Sequence, residues 1–173
     1  MGALELEALV ESLLFVADQA VTPGQLAKAL EAEEVAVEEA LSALDAGYLE
    51  GGRGLRLQRK GDRVQLVTAP ESGSFVQRFL GLELSGPLSQ AALEALAIVA
   101  YRQPVTRAQV EAVRGVNSDG VLRTLVGRGL VEEVGRLEQV GRPILYGTTF
   151  EFLQQFGLRS VDELPPLEEA SAS

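Results

Sequence analysis

The stretch YRQPVTRAQVEAVRGVNSDGVLRTLVGRGLV, residues 101–131, decides the fold. Thr106 is a helix N-cap, its hydroxyl able to accept one of the backbone N–H groups that a first helical turn leaves without a partner. Gly115 breaks the helix that follows. Ser118 or Asp119 then starts another, whose Val121, Leu122, Leu125 and Val126 recur at helical spacing. Gly129 ends it. Two short helices across a glycine turn form a helix-turn-helix, the second in the position that enters a DNA groove in proteins that read bases.

Outward from this unit the pattern continues. Ser89 caps an earlier helix carrying Leu93, Leu96, Ile98, Val99 and Tyr101. Downstream, LVEEV and ILYGTT read as two strands, and GRLEQVGRP between them has the Gly and Pro of a wing loop. A last helix, Thr149 to about Phe156, lays Phe150, Phe152, Leu153 and Phe156 onto the domain. The same order occurs earlier in the chain. ESLLFVADQAVTPGQLAKAL (11–30) parallels EALAIVAYRQPVTRAQVEAVR (94–114), with Pro104 as a one-residue insertion. Glu11/Glu94, Leu13/Leu96, Val16/Val99, Ala17/Ala100, Val21/Val105, Thr22/Thr106 and Gln25/Gln109 coincide, so the same buried positions and the same helix start are expected to recur. Helices are expected over about Leu4–Ala17, from Thr22-Pro23 to about Leu30, and over about Glu34–Leu49. The period then changes to two: LRLQR and RVQLVT turn Leu55, Leu57, Val64 and Leu66 inward and Arg56, Gln58, Arg63 and Gln65 outward around Lys60-Gly61-Asp62.

The fold class is therefore α+β, mainly α, built from two tandem winged-helix domains. The first spans 1–80 and the second 89–160. Residues 81–88, at the end of a Pro-, Gly- and Ser-containing stretch (69–89), form a linker, and 161–173 form an acidic, solvated, disordered tail.

Composition narrows the function. The chain of 173 residues has no Cys and no His, which removes disulfides, thiolate nucleophiles, imidazole bases and Cys/His zinc sites. No phosphate-cradling glycine motif is present. Glu33, Glu34, Glu38 and Glu39 crowd one helix and read as a solvated face. No catalytic residue, metal site or cofactor is assigned. The N-terminus lacks a basic leader and the Ser or Thr of a myristoylation signal, and no apolar run reaches the ~20 residues of a membrane span, so a cytoplasmic, soluble protein is expected.

The formal net charge of −10 sits badly with a DNA-reading motif. From Ser89 to Arg159 eight arginines face seven acids, a balance of +1, and the recognition-position helix carries only Arg123 and Arg128. In the first wing Arg53, Arg56, Arg59, Lys60 and Arg63 against Asp62 give +4. Arg56, Arg59, Lys60 and Arg63 are thus candidate phosphate contacts, although a charged face that blunts a sheet edge accounts for them equally. A tandem winged-helix DNA-binding transcription regulator is the alternative function.

The letters themselves carry a resemblance. LSQAALEALAIVAYRQPVTRAQVEAVRGVNSDGVLRTLVGRGLVEE, GRPILYGTT and FGLRSVDELPPL, spanning Leu88–Leu167, closely resemble segregation and condensation protein B, with AYRQPVTR, RGVNSDG and GRPILYGTT as the most specific motifs. Val140 departs from the Pro frequent there in that family. The resemblance implies a non-catalytic subunit of a bacterial condensin-like complex, nucleoid-associated, supporting chromosome condensation and segregation. It implies a homodimer through the N-terminal domain, a C-terminal domain that binds the kleisin subunit (segregation and condensation protein A), and an indirect link to the SMC ATPase, with DNA binding at most weak and non-specific. Candidate partner-binding residues are Arg102, Arg123, Arg136, Arg142 and Tyr146; Arg142 and Tyr146, with Pro143, fit equally a role in stabilising the wing. Thr106, Gly115, Asn117, Ser118 and Gly120 are expected to be structural, the glycines for the turn and close helix packing, Asn117 and Ser118 for capping.

Overall fold

In the computed structural model, which describes residues 5–80 and 86–167, the chain divides into two compact units, Met1–Leu84 and Ser85–Ser173. In the first, α1 (Leu6–Val16), α2 (Pro23–Leu30) and α3 (Glu34–Glu50) precede a hairpin of β1 (Leu55–Lys60) and β2 (Arg63–Thr68). Thr22 and Gln25 start α2 with a reciprocal cap: Gln25 N donates to Thr22 Oγ1 at 3.2 Å and Thr22 N donates to Gln25 Oε1 at 2.8 Å. Val10, Leu14, Leu26, Val37, Leu41, Tyr48, Leu57 and Val64 form one buried cluster, contributed by all three helices and both strands. A 3₁₀ turn (Pro70–Ser72) and α4 (Gly73–Leu80) follow, within the Pro-, Gly- and Ser-containing stretch and ahead of the expected linker.

The second unit repeats the plan. It contains α5 (Gln90–Arg102), the two-residue strand β3 (Val105–Thr106), α6 (Arg107–Arg114), α7 (Asp119–Gly127), β4 (Val131–Arg136), β5 (Ile144–Thr148) and α8 (Phe150–Gln155). The caps expected at Ser89 and Thr106 each accept the N–H three residues on, and Thr149, read as the start of the last helix, does the same. The sheet order is β3-β5-β4, antiparallel throughout. Val105 pairs with Tyr146, and the first unit has the same feature in reduced form, an isolated bridge between Val21 and Val64. Ala95, Leu96, Val99, Val110, Leu122, Leu125, Leu130, Phe152 and Leu153 make the core. The winged-helix reading of each unit stands.

Four expectations need correcting. Val16 is 68% exposed whereas its counterpart Val99 is 0%, so the paired positions are not equally buried. Gln58, read as outward, is buried, and its Oε1 accepts from Gln65 Nε2 at 3.1 Å directly across the hairpin. Gly120 is exposed in open space, so no close helix approach requires it. Residues 161–167, expected within a solvated tail, hold a 3₁₀ turn (Val161–Glu163), with Val161 and Leu164 packed on the core. Arg159 Nε donates to Glu163 Oε1 at 2.7 Å and anchors that turn. Residues 81–85 of the expected linker and 168–173 of the expected tail lie outside the described residues.

Candidate functional site

The residues of the RGVNSDG motif are drawn together at the α6–α7 corner. Gly115 adopts φ +74°, a left-handed conformation that costs glycine nothing, and its N–H donates to Glu111 O to close α6. Ser118 is fully buried, and it does not cap α7 through its side chain. Its N–H donates instead to Glu111 Oε1 at 3.0 Å, its hydroxyl donates to Val116 O at 3.3 Å, and its Oγ accepts from Arg114 Nη1 at 2.9 Å. Asn117 does the capping, its Oδ1 accepting from Asp119 N at 3.1 Å. Arg114, nine-tenths buried, also faces Glu94 Oε2 at 3.6 Å and so ties the corner to α5. Arg107 lies 3.0 Å from Asp119 and 3.7 Å from Glu111. These charges are paired within the corner and with α5.

The expected partner-binding arginines divide by what they already hold. Arg123 pairs with Asp119 at 2.6 Å. Arg136 Nη1 donates to Arg142 O at 3.2 Å, and Arg142 pairs with Glu138 at 2.9 Å, so both brace the wing loop. Tyr146 is half-buried against the core, at the base of the wing. Arg102, at the end of α5, is exposed and makes no ion pair or hydrogen bond among the described residues. Of the two basic residues at the recognition position, Arg123 is paired as above and Arg128 Nη1 donates to Gly86 O at 2.7 Å. Neither presents an uncommitted guanidinium to a base edge.

In the first wing, Arg56 is turned inward: its Nη1 donates to Arg53 O at 2.6 Å and Leu55 O at 2.8 Å, and its Nη2 lies 3.5 Å from Glu71. Arg59 pairs with Glu38 at 2.9 Å. Arg63 is exposed at the turn, and Lys60 is half-buried. The basic cluster counted in the sequence is thus largely internal to its own unit.

Beside Arg102 the end of α5 and the C-terminal segment enclose an open, mostly apolar groove of about 450 Å³, lined by Ala100, Tyr101, Gln103, Val161, Leu164 and Leu167 among others. Tyr101 OH donates to Pro165 O at 2.6 Å and fixes the far wall. Gln103 fixes the floor: its Oε1 accepts from Thr148 N at 2.8 Å and Thr148 Oγ1 at 3.1 Å, while its Nε2 donates to Ala100 O at 3.0 Å. Gly147 permits that approach, because a Cβ there would stand 3.1 Å from Gln103 Oε1 and 2.9 Å from Val134 Cγ1. The groove was not legible from letters alone, since its outer wall is the segment read as a solvated tail. Among the described residues, no group of three or more His, Cys, Asp or Glu is disposed to hold a metal ion, and no helix is long and apolar enough to cross a membrane.

Comparison with known proteins places these features in context. The family described as segregation and condensation complex subunit ScpB matches residues 8–167. A segregation and condensation protein B from Moorella thermoacetica is 51% identical over 168 residues, covering 97% of this chain and 86% of that protein. The crystal structure of ScpB from Mycobacterium tuberculosis is 38% identical with a TM-score of 0.44, over 91% of this chain and 99% of that one. A crystal structure of a dimer of an ScpB N-terminal domain complexed with an ScpA peptide is 27% identical with a TM-score of 0.40, over 42% of this chain and 91% of that one.

Proposed function

The chain belongs to the family of segregation and condensation complex subunit ScpB, and from that premise we propose that it is a non-catalytic, cytoplasmic, nucleoid-associated subunit of a bacterial condensin-like complex. It homodimerises through its first unit and holds the kleisin with its second, supporting chromosome condensation and segregation beside the SMC ATPase. The observation that carries this reading is the family match across residues 8–167.

The geometry supports a mode of binding. An amphipathic kleisin helix lays its apolar side chains into the groove bounded by Ala100, Tyr101, Leu164 and Leu167. Arg102, the next residue along α5 and without a partner among the described residues, meets an acidic residue of that helix at the rim. Arg123, Arg136 and Arg142 act on the surface that α7 and the wing present, each having to exchange an internal contact for an external one. Non-specific DNA contact is confined to exposed basic residues such as Arg63.

The test is co-elution. Mixed at micromolar concentration, the chain and the central segment of its kleisin move together in size-exclusion chromatography, and Arg102→Glu weakens the complex. Separate elution of the wild-type pair refutes the reading.

A further inference from the structure

The end of the motif FGLRSVDELPPL, residues 156–167, forms one wall of the apolar groove, through Val161, Leu164, Pro165, Pro166 and Leu167. Its letters make that wall stiff. Proline fixes its own φ, and a residue that precedes proline is confined to extended conformations, which constrains Leu164 and Pro165 alike. Leu164 sits accordingly at φ −58° and ψ 134°, in the polyproline II region. At its start the wall is well rooted: Val161 and Leu164 pack on the core, Leu164 N donates to Val161 O at 3.1 Å, and Arg159 Nε donates to Glu163 Oε1 at 2.7 Å. Beyond Leu164 those roots end. Pro165 and Pro166 have no N–H to donate, and both are exposed, as is Leu167. Among the described residues, the one hydrogen bond that this last stretch holds is accepted by Pro165 O from Tyr101 OH at 2.6 Å.

Tyr101 is itself fixed from both sides. Ala100 before it is buried in the core, and Gln103 beyond it is tied to Thr148 and to Ala100 O. The position of the phenol is therefore set by the fold, and its hydroxyl passes that position on to a wall 64 residues away in the chain. We infer that Tyr101 is a positioning residue for partner binding: by holding Pro165 it keeps the 164–167 rod standing off the end of α5, so that the groove is formed before the partner arrives. The inference rests on the kleisin-binding reading above and adds what builds that site. Its occupant is an amphipathic helix with an acidic flank, which suits the apolar lining and Arg102, the neighbour of Tyr101 that has no partner among the described residues. A wall already ordered adds no ordering entropy to the cost of association, so loosening it weakens binding while the unit stays folded.

Two substitutions loosen the wall by different means. Tyr101→Phe removes the hydroxyl and keeps the ring, whereas Pro165→Gly/Pro166→Gly frees the backbone and leaves Val161 and Leu164 on the core. Each full-length variant is titrated calorimetrically with the central kleisin segment, and circular dichroism checks that it is folded. Tyr101→Phe is expected to weaken binding about 3–10-fold and the glycine pair about 5–30-fold. Because both act through one wall, adding Tyr101→Phe to the glycine pair is expected to weaken binding by no more than about 2-fold further. Wild-type chain that does not bind the segment sinks the kleisin reading and this inference together. Wild-type binding that both variants retain undiminished overturns the inference alone. So do losses that multiply in full in the combined variant, since Tyr101 would then act on the partner and not through Pro165.

Discussion

Replacing Gln103 by alanine should cost the second unit about 3 kcal/mol. The side chain joins the end of α5 to β5 through three hydrogen bonds, two of them accepted from Thr148, which is fully buried. Truncation takes the protein partner from the buried Thr148 N–H and hydroxyl, and each buried orphan costs ~1–3 kcal/mol. The Ala100 carbonyl, in the last turn of α5, recovers its partner from solvent more easily. For a unit of this size such a loss lowers the midpoint of its thermal transition by about 10–20 °C. Backbone amide exchange followed by mass spectrometry separates this from the first unit, because peptides covering Ile144–Leu153 should lose protection while those covering α1–α3 keep it. Thr148→Val removes one of the two orphans, so the double variant should be less than additive. A loss below ~1 kcal/mol, or strict additivity with Thr148→Val, would mean that Gln103 does not hold the Thr148 groups.

Gly115→Ala should destabilise the second unit by about 1 kcal/mol in denaturant melts, since φ is +74° and no neighbour would be struck. Glu31 holds the equivalent end of α2 at φ +52°, so Glu31→Gly should stabilise the first unit by a similar amount. Gly147→Ala should cost about 1–3 kcal/mol through its 2.9 Å clash with Val134, and Val134→Ala should recover much of that loss in the same melt. Tyr48 has its phenol pushed well above the ordinary value by burial, then by the hydrogen bond it donates to Glu11 and by that carboxylate's charge. Its contribution to stability is full below pH ~10, the ordinary phenol value, and declines as pH rises from there towards the folded value. Ultraviolet titration should find one of the three tyrosines silent until the chain unfolds, and Tyr48→Phe should abolish that part of the alkaline slope.

How much of this was legible in the letters depends on whether a feature is local. Caps at Thr22, Ser89 and Thr106 need a hydroxyl and an N–H three residues on, and each was readable. Gly115 was readable for the same reason. Gln58 was not, because period-two alternation assigns a face without saying what covers it, and the outward face of β1 is itself covered. Ser118 looked like a cap, yet its surroundings come from Glu111 and Arg114 one helix earlier. The arginines gave a charge count and no partners; only the fold showed that Arg56, Arg59, Arg123 and Arg142 are engaged within their units and that Arg102 is not. The tail misled because acid and proline content describes exposure of a lone segment, while Val161 and Leu164 find a core to rest on.

Calorimetric titration decides whether this chain grips a kleisin or a base sequence. The full chain titrated with the central kleisin segment should give saturable binding at micromolar affinity or tighter, weakened by Arg102→Glu and by Leu164→Asp in the groove. Titration with duplex DNA at moderate salt should give only weak, sequence-independent heat. Absence of kleisin binding would leave the chain without this partner, and submicromolar binding to one DNA sequence over others would make it a DNA reader.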